Sequence, residues 1–262
     1  MILDAIADTA RLRVLEAKKR CPLEEMKEKA LALPKREFPF EQALNRPDMA
    51  FICEVKKASP SKGVIAPNFP YTEIARDYEM AGASAISVLT EPDYFMGCNQ
   101  YLTEIKNTVQ IPLLRKDFTV DEYQLYEAKV IGADAVLLIC SLLDTETLSS
   151  YISVCDRLGL SALVEAHTKE EVLSAREAGA RIIGINNRNL KTFEVDFNNS
   201  IQLRSLVPPE ILFVAESGIR TASDIHVLYE AGVNAVLIGE TLMRSVNKKL
   251  ELDKLRSGCY LI

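Results

Sequence analysis

Four times in this chain a helical stretch closes on a small or apolar residue, a glycine and a second such residue: Ala81-Gly82-Ala83, Ile131-Gly132-Ala133, Ala178-Gly179-Ala180 and Ala231-Gly232-Val233. Glycine is the residue that ends a helix in a left-handed turn without a Cβ penalty. An apolar run follows each one within a few residues, so the chain carries a repeating helix-to-strand joint. Strands are predicted at 51–56, 85–89, 113–118, 135–139, 162–165, 182–186, 212–216 and 235–238. Continuous apolar strands joined by helices imply a parallel sheet covered on its outer face. Eight such units in about 210 residues fit a closed (β/α)₈ TIM barrel better than an open doubly wound sheet. The open sheet would usually carry a GxGxxG phosphate fingerprint after its first strand, and none is present.

Helix starts are marked as well. Thr119-Val-Asp-Glu122 and Thr168-Lys-Glu-Glu171 read as capping boxes, and Thr221-Ala-Ser-Asp224 as a looser form with Asp in place of Glu. Ahead of the first strand, helical spacing over 3–19 and a charged helix over about 23–33 predict an N-terminal helical extension, residues 1–47, before a barrel over 48–262. The segment 34–47, with prolines at 34, 39 and 47, reads as a connection.

With 262 residues and 48% hydrophobic content, the chain has ample material for one large core. Its net charge of -6 argues against a general nucleic-acid or membrane-surface binder, which would want a basic face. An anionic ligand must therefore be met by local positive charge. The six cysteines form no CxxC pair, and no apolar run reaches the ~20 residues that span a bilayer. The N-terminus has acids where a signal peptide would be basic. A cytoplasmic protein with reduced thiols is expected.

In such a barrel the site is built from the C-terminal ends of the strands. Reading each end in turn gives Glu54 and Lys56, then Ser87, Lys116 and Phe118, Glu165, Asn186 and Arg188, and Glu216. Side chains two apart on a strand share a face. Ile52, Glu54 and Lys56 therefore point together, as do Leu114, Lys116 and Phe118, Leu163 and Glu165, and Val214 and Glu216. Three carboxylates and two lysines would converge on one mouth, where burial without function is costly. Such clustering also pushes pKa values apart, which suits acid-base work. Ser217 and Gly218, and Gly239 before the last helix, stand where barrels bind phosphate through backbone N–H groups, with Lys56 adding charge. His167 beside a helix cap and His226 inside a helix are assigned capping and surface roles.

Seven stretches together resemble the indole-3-glycerol-phosphate synthase family of tryptophan biosynthesis. They are Glu54-Val-Lys-Lys-Ala-Ser-Pro-Ser-Lys-Gly, Ser87-Val-Leu-Thr-Glu91, Tyr94-Phe-Met-Gly97, Leu114-Arg-Lys-Asp-Phe118, Leu163-Val-Glu165, Gly184-Ile-Asn-Asn-Arg-Asn-Leu190 and Ala215-Glu-Ser-Gly-Ile219. The resemblance implies a carboxy-lyase that closes the ring of 1-(2-carboxyphenylamino)-1-deoxyribulose 5-phosphate with loss of carbon dioxide and water. It implies Lys116 as principal acid, Glu165 as base, and Glu54 and Lys56 assisting. Asn186 and Arg188, with Ser59, would hold the anthranilate-derived end between the walls Phe95 and Phe118. Ser87, Glu216, Ser217, Gly218 and Gly239 would complete the sugar-phosphate end. No metal or organic cofactor is implied, and the partner is a small phosphorylated substrate rather than a nucleic acid or membrane.

The family's usual form is a monomer or part of a fused enzyme, so association with other tryptophan-pathway enzymes is the other expectation. The loop 59–68, rich in Pro, Ser, Lys and Gly, is expected to close over substrate. Two alternatives stand beside this reading. A phosphoribosylanthranilate isomerase would be led by a strand-end Cys or Asp pair, and Cys53 has outward parity. A non-catalytic phospho-ligand-binding barrel would need the phosphate contacts but not Lys116 with Glu165.

Overall fold

A computed structural model of the chain describes residues 2–189 and 194–260. Leu190, which ends one of the motifs above, lies outside the described residues, as do Met1, Leu261 and Ile262 at the ends of the expected extension and barrel.

Eight parallel strands close into a barrel: β1 (Ala50–Val55), β2 (Ala85–Leu89), β3 (Leu113–Lys116), β4 (Ala135–Ile139), β5 (Ser161–Ala166), β6 (Ile182–Asn186), β7 (Leu212–Glu216) and β8 (Ala235–Ile238). Each pairs with its neighbours in sequence, and β8 returns to β1 through Cys53 and Ile238. The four helix-to-strand glycines all sit at positive φ, between 75° and 95°.

Side-chain parity separates two cores. Ala50, Ile52, Leu114, Leu137, Leu163, Ile182, Val214 and Leu237 fill the barrel interior. Phe51, Cys53, Val55, Ile86, Val88, Val136 and Ile183 face the surrounding helices. The inward set is the one that ends in Glu54, Lys116, Glu165 and Glu216, so the same period-2 pattern that builds the core delivers the charged groups to one mouth.

The predicted strand 113–118 is two residues too long. Asp117 stops it: its carboxylate accepts hydrogen bonds from the Phe118 N–H at 2.8 Å and the Thr90 hydroxyl at 2.8 Å, turning the backbone out of the ladder. The first strand likewise ends at Val55, and the fifth runs one residue further at each end than 162–165.

Among the capping boxes, Thr221 with Asp224 forms the full reciprocal motif, 221–224. Thr168 accepts from the Glu171 N–H at 3.3 Å, but the Glu171 carboxylate reaches back one residue further, to the His167 N–H at 2.6 Å. The box expected at 119–122 does not form. That helix begins at Tyr123, with Asp121 accepting from its N–H and Gln124 bridging the turn to Val120 and Phe118.

Ahead of the barrel lie helices Ile2–Arg20 and Leu23–Leu31. The expected connection 34–47 contains a third, Pro39–Leu44. Its Phe40 and Leu44 are fully buried in the interior cluster, and its Glu41 grips Arg181, just ahead of β6, at 2.9 Å. It closes the end of the barrel opposite the charged mouth.

Candidate active site

The mouth holds a cavity of about 390 Å³. Of the residues assigned from sequence, Glu54, Lys56, Ser59, Phe95, Lys116, Phe118, Glu165, Asn186, Arg188, Glu216, Ser217, Gly218 and Gly239 line it. Ser87 does not. Its Cα is level with Glu54 across the β1/β2 ladder and it is fully buried, so a side chain this short stops below the cavity floor.

At the centre Lys116 Nζ lies 3.2 Å from Glu165 Oε2 and 3.5 Å from Glu216 Oε2. Asn186 Nδ2 donates to Glu165 Oε1 at 3.3 Å, and Asn186 Oδ1 accepts from the Arg188 N–H at 3.0 Å. Lys56 pairs with Glu54 on the opposite side of the mouth. Close approach here requires glycine. A Cβ at Gly239 would run into the Glu54 carboxylate and stand 3.0 Å from Lys56 Nζ, and one at Gly184 would meet the Glu216 carboxylate.

These contacts push the titrations apart. Burial opposes the Lys116 charge, but Glu165, Glu216 and Glu54 outweigh it, so its pKa is raised. Burial would lift Glu165, yet Lys116, His167 and Asn186 hold it below the usual carboxylate range. Glu216 takes the remaining cost. Burial, with Glu165 and Glu54 beside it and only partial relief from Lys116, pushes it up to about 7. The site thus contains a firmly protonated amine touching an ionised carboxylate and a second carboxyl that titrates near neutrality, a set able to donate and accept protons on one small molecule.

The walls fit a ligand with an aromatic part. Phe95 and Phe118 stand 6.0 Å apart, ring centre to ring centre, inclined by 38°. Ile2, Leu3 and Ile6 add an apolar wall from the N-terminal helix. Nothing in the spacing of that helix distinguished these residues from ordinary core positions.

On the far rim Ser217 and Gly218 both adopt left-handed backbone, φ 68° and 83°. That conformation is uncommon for a serine and persists only when its surroundings impose it. Asn187, missed in the sequence reading, supplies the restraint. Its Nδ2 donates to the Ser217 carbonyl at 3.1 Å, while its Oδ1 accepts from the Ser200 N–H and hydroxyl at 3.0 and 2.8 Å. Its parity is outward, so strand-end reasoning passed over it. His167 was also misjudged: it follows Glu165 by two residues on the inward face, and its ring Nε2 lies 3.6 Å from Glu165 Oε1.

The family model described as indole-3-glycerol phosphate synthase matches residues 3–255. The protein of that name from Ruminiclostridium cellulolyticum is 62% identical over 259 residues, covering 98% of this chain and 100% of its own. The one from Endomicrobium trichonymphae is 54% identical over 257 residues, covering 98% and 100%. Among solved structures, 3-hexulose-6-phosphate synthase from Salmonella typhimurium superposes with a TM-score of 0.66 at 14% identity, over 81% of this chain and 99% of that one, a likeness of fold alone. By family model and by whole-length identity, this chain belongs to the indole-3-glycerol phosphate synthase family.

Proposed function

We propose that the protein converts 1-(2-carboxyphenylamino)-1-deoxyribulose 5-phosphate to indole-3-glycerol phosphate, with Lys116 as the principal acid and Glu165 as the base. The observation that carries this reading is the direct contact of Lys116 with Glu165 and Glu216 inside the cavity, at 3.2 and 3.5 Å. Ring closure places negative charge on the ketone oxygen, and Lys116 is the protonated amine available to meet it. Carbon dioxide leaves without a proton. The former ketone oxygen then departs as water, which takes a second proton, while the carbon beside the nitrogen gives one up to Glu165.

Two protons are delivered and one is recovered, so each turnover draws one from solvent. The contact between Lys116 and Glu165 lets the recovered proton return to the acid directly. Glu54 and Lys56 assist from the facing side. Asn186 and Arg188 hold the anthranilate end, where the planar guanidinium suits a carboxylate. Ser217, Gly218, Gly239 and Lys56 take the phosphate.

The test is indole fluorescence after mixing purified protein with this substrate. The chain has no tryptophan, so the indole signal is free of tryptophan background. Turnover is expected in the parent, with losses of at least about a hundredfold in both Lys116→Ala and Glu165→Gln. A parent that binds the substrate without forming indole would overturn the activity, and full turnover in either variant would overturn that residue's role.

A further inference from the structure

Among the described residues, His167 is the one titratable group that touches the proposed base and has no part in the chemistry above. Period-2 parity carries it inward at the end of β5, immediately after the strand that presents Glu165. Its ring Nε2 stands 3.6 Å from Glu165 Oε1, and its ring Nδ1 3.3 Å from Glu171 Oε2. Both ring nitrogens are out of solvent and neither forms a hydrogen bond among the described residues, so the ring meets the two carboxylates through charge contacts.

A neutral imidazole has one donor and one acceptor nitrogen, whereas an ionised carboxylate only accepts. A ring facing carboxylates on both edges therefore matches its surroundings only when both nitrogens carry protons. Of the other groups around it, Glu216 favours the same state and the Lys116 ammonium opposes it. Glu216 on β7 lies beyond Glu165, and Lys116 on β3 sits on the far side of Glu165, paired with both of those acids. The Cys140 thiol, after β4, points at the Glu171 carbonyl. Burial opposes the imidazolium, but Glu171, Glu165 and Glu216 outweigh it and raise its pKa above the ordinary histidine value.

The far carboxylate is itself anchored. Glu171 accepts from the Ser141 hydroxyl at 2.6 Å and from the His167 N–H at 2.6 Å. It thereby fixes the backbone of His167 and holds a carboxylate beside its ring.

We propose that His167 is a positioning residue: held between Glu165 and Glu171 as an imidazolium, it orients the Glu165 carboxylate toward Lys116 and Asn186 and keeps it ionised to accept the substrate proton. This rests on the reading of Glu165 as the base. The sign follows from charge. A cation beside Glu165 lowers its affinity for protons, so removing it moves the acid limb of the pH profile upward.

Two measurements test this. With only two histidines in the chain, ¹⁵N-histidine NMR of the His226→Gln protein reports His167 alone. Both ring nitrogens should be protonated at pH 7, and adding Glu171→Gln should lower the titration midpoint by about one pH unit. Gln still accepts from the His167 N–H, so the helix start survives that change.

The second measurement is kcat/KM against pH for His167→Gln. Its acid limb should rise by about one unit and kcat should fall about tenfold with KM little changed. A neutral His167 at pH 7, or an acid limb that coincides with the parent's, overturns the proposal. If Glu165→Gln retains turnover, the base assignment fails instead. If Glu165→Gln is inactive while the His167→Gln limb is unmoved, the role of His167 alone is refuted. The NMR titration needs no turnover and stands even if the His167 variant folds poorly.

Discussion

Glu216 shows how one side chain can carry the cost of a whole site. It is fully enclosed, shares Lys116 with Glu165, and takes the smaller share of that cation's relief. Its pKa in the folded protein, about 7, lies above the ordinary value of 4.5. A group raised in this way contributes stability below about pH 4.5 and loses that contribution as pH climbs through about 7. Glu216→Gln cannot ionise. Urea unfolding should therefore show the variant gaining up to roughly 3 kcal/mol on the parent between pH 5 and pH 8. Parallel pH dependences in the two proteins would show that Glu216 is not the strained acid. Glu165 has the opposite sign: held low, it supports the fold at neutral pH and withdraws that support as the solution is acidified.

Elements set which of these groups meet and how the site is covered. The loop after β1 folds back as a short antiparallel ladder, Ala58–Ser59 against Gly63–Val64, with Gly63 at φ 63°. It carries Ser59, Pro60, Ser61 and Lys62 over the cavity, and Lys62 reaches to 3.8 Å from Glu240 at the start of the short helix Glu240–Arg244 that follows β8. Such a ladder is too small to be rigid by itself. Its amides should gain hydrogen-exchange protection over 59–68 when a substrate analogue is bound, whereas unchanged protection would mean the loop does not close. The failed capping box at 119–122 and the full one at 221–224 differ in their surroundings rather than their letters. Thr119 follows a strand that Asp117 has already ended, and Gln124 takes over the turn.

Across the whole molecule, stability and chemistry occupy opposite ends of the barrel. The helix Pro39–Leu44 seals one end with Phe40 and Leu44, while the charged mouth opens at the other. Phe40→Ala should cost about 3–5 kcal/mol of stability in denaturant unfolding. Its effect on kcat should stay within about threefold, because it sits at the end of the barrel opposite the charged mouth. A large loss of kcat in a folded Phe40 variant would show that the two ends are coupled. The acidic net charge of -6 is consistent with a phosphorylated substrate because Lys56, Lys116 and Arg188 gather at this one mouth.

The sequence by itself determined the barrel and most of the residues that line its mouth, for a local reason. Strand parity and helix-ending glycines are short-range properties, and in a barrel they also decide which residues face inward at which end. Lys116, Glu165 and Glu216 were legible because each ends a run of inward apolar residues. The tertiary structure decided what depends on distance between strands: that Ser87 stops short of the cavity, that Ile2, Leu3 and Ile6 wall it, and that Asn187 holds Ser217 in a left-handed turn. It also placed His167 between two carboxylates. Apart from these local contacts of His167, those relations join residues from separate turns of the chain, and only the closed sheet fixes their separations.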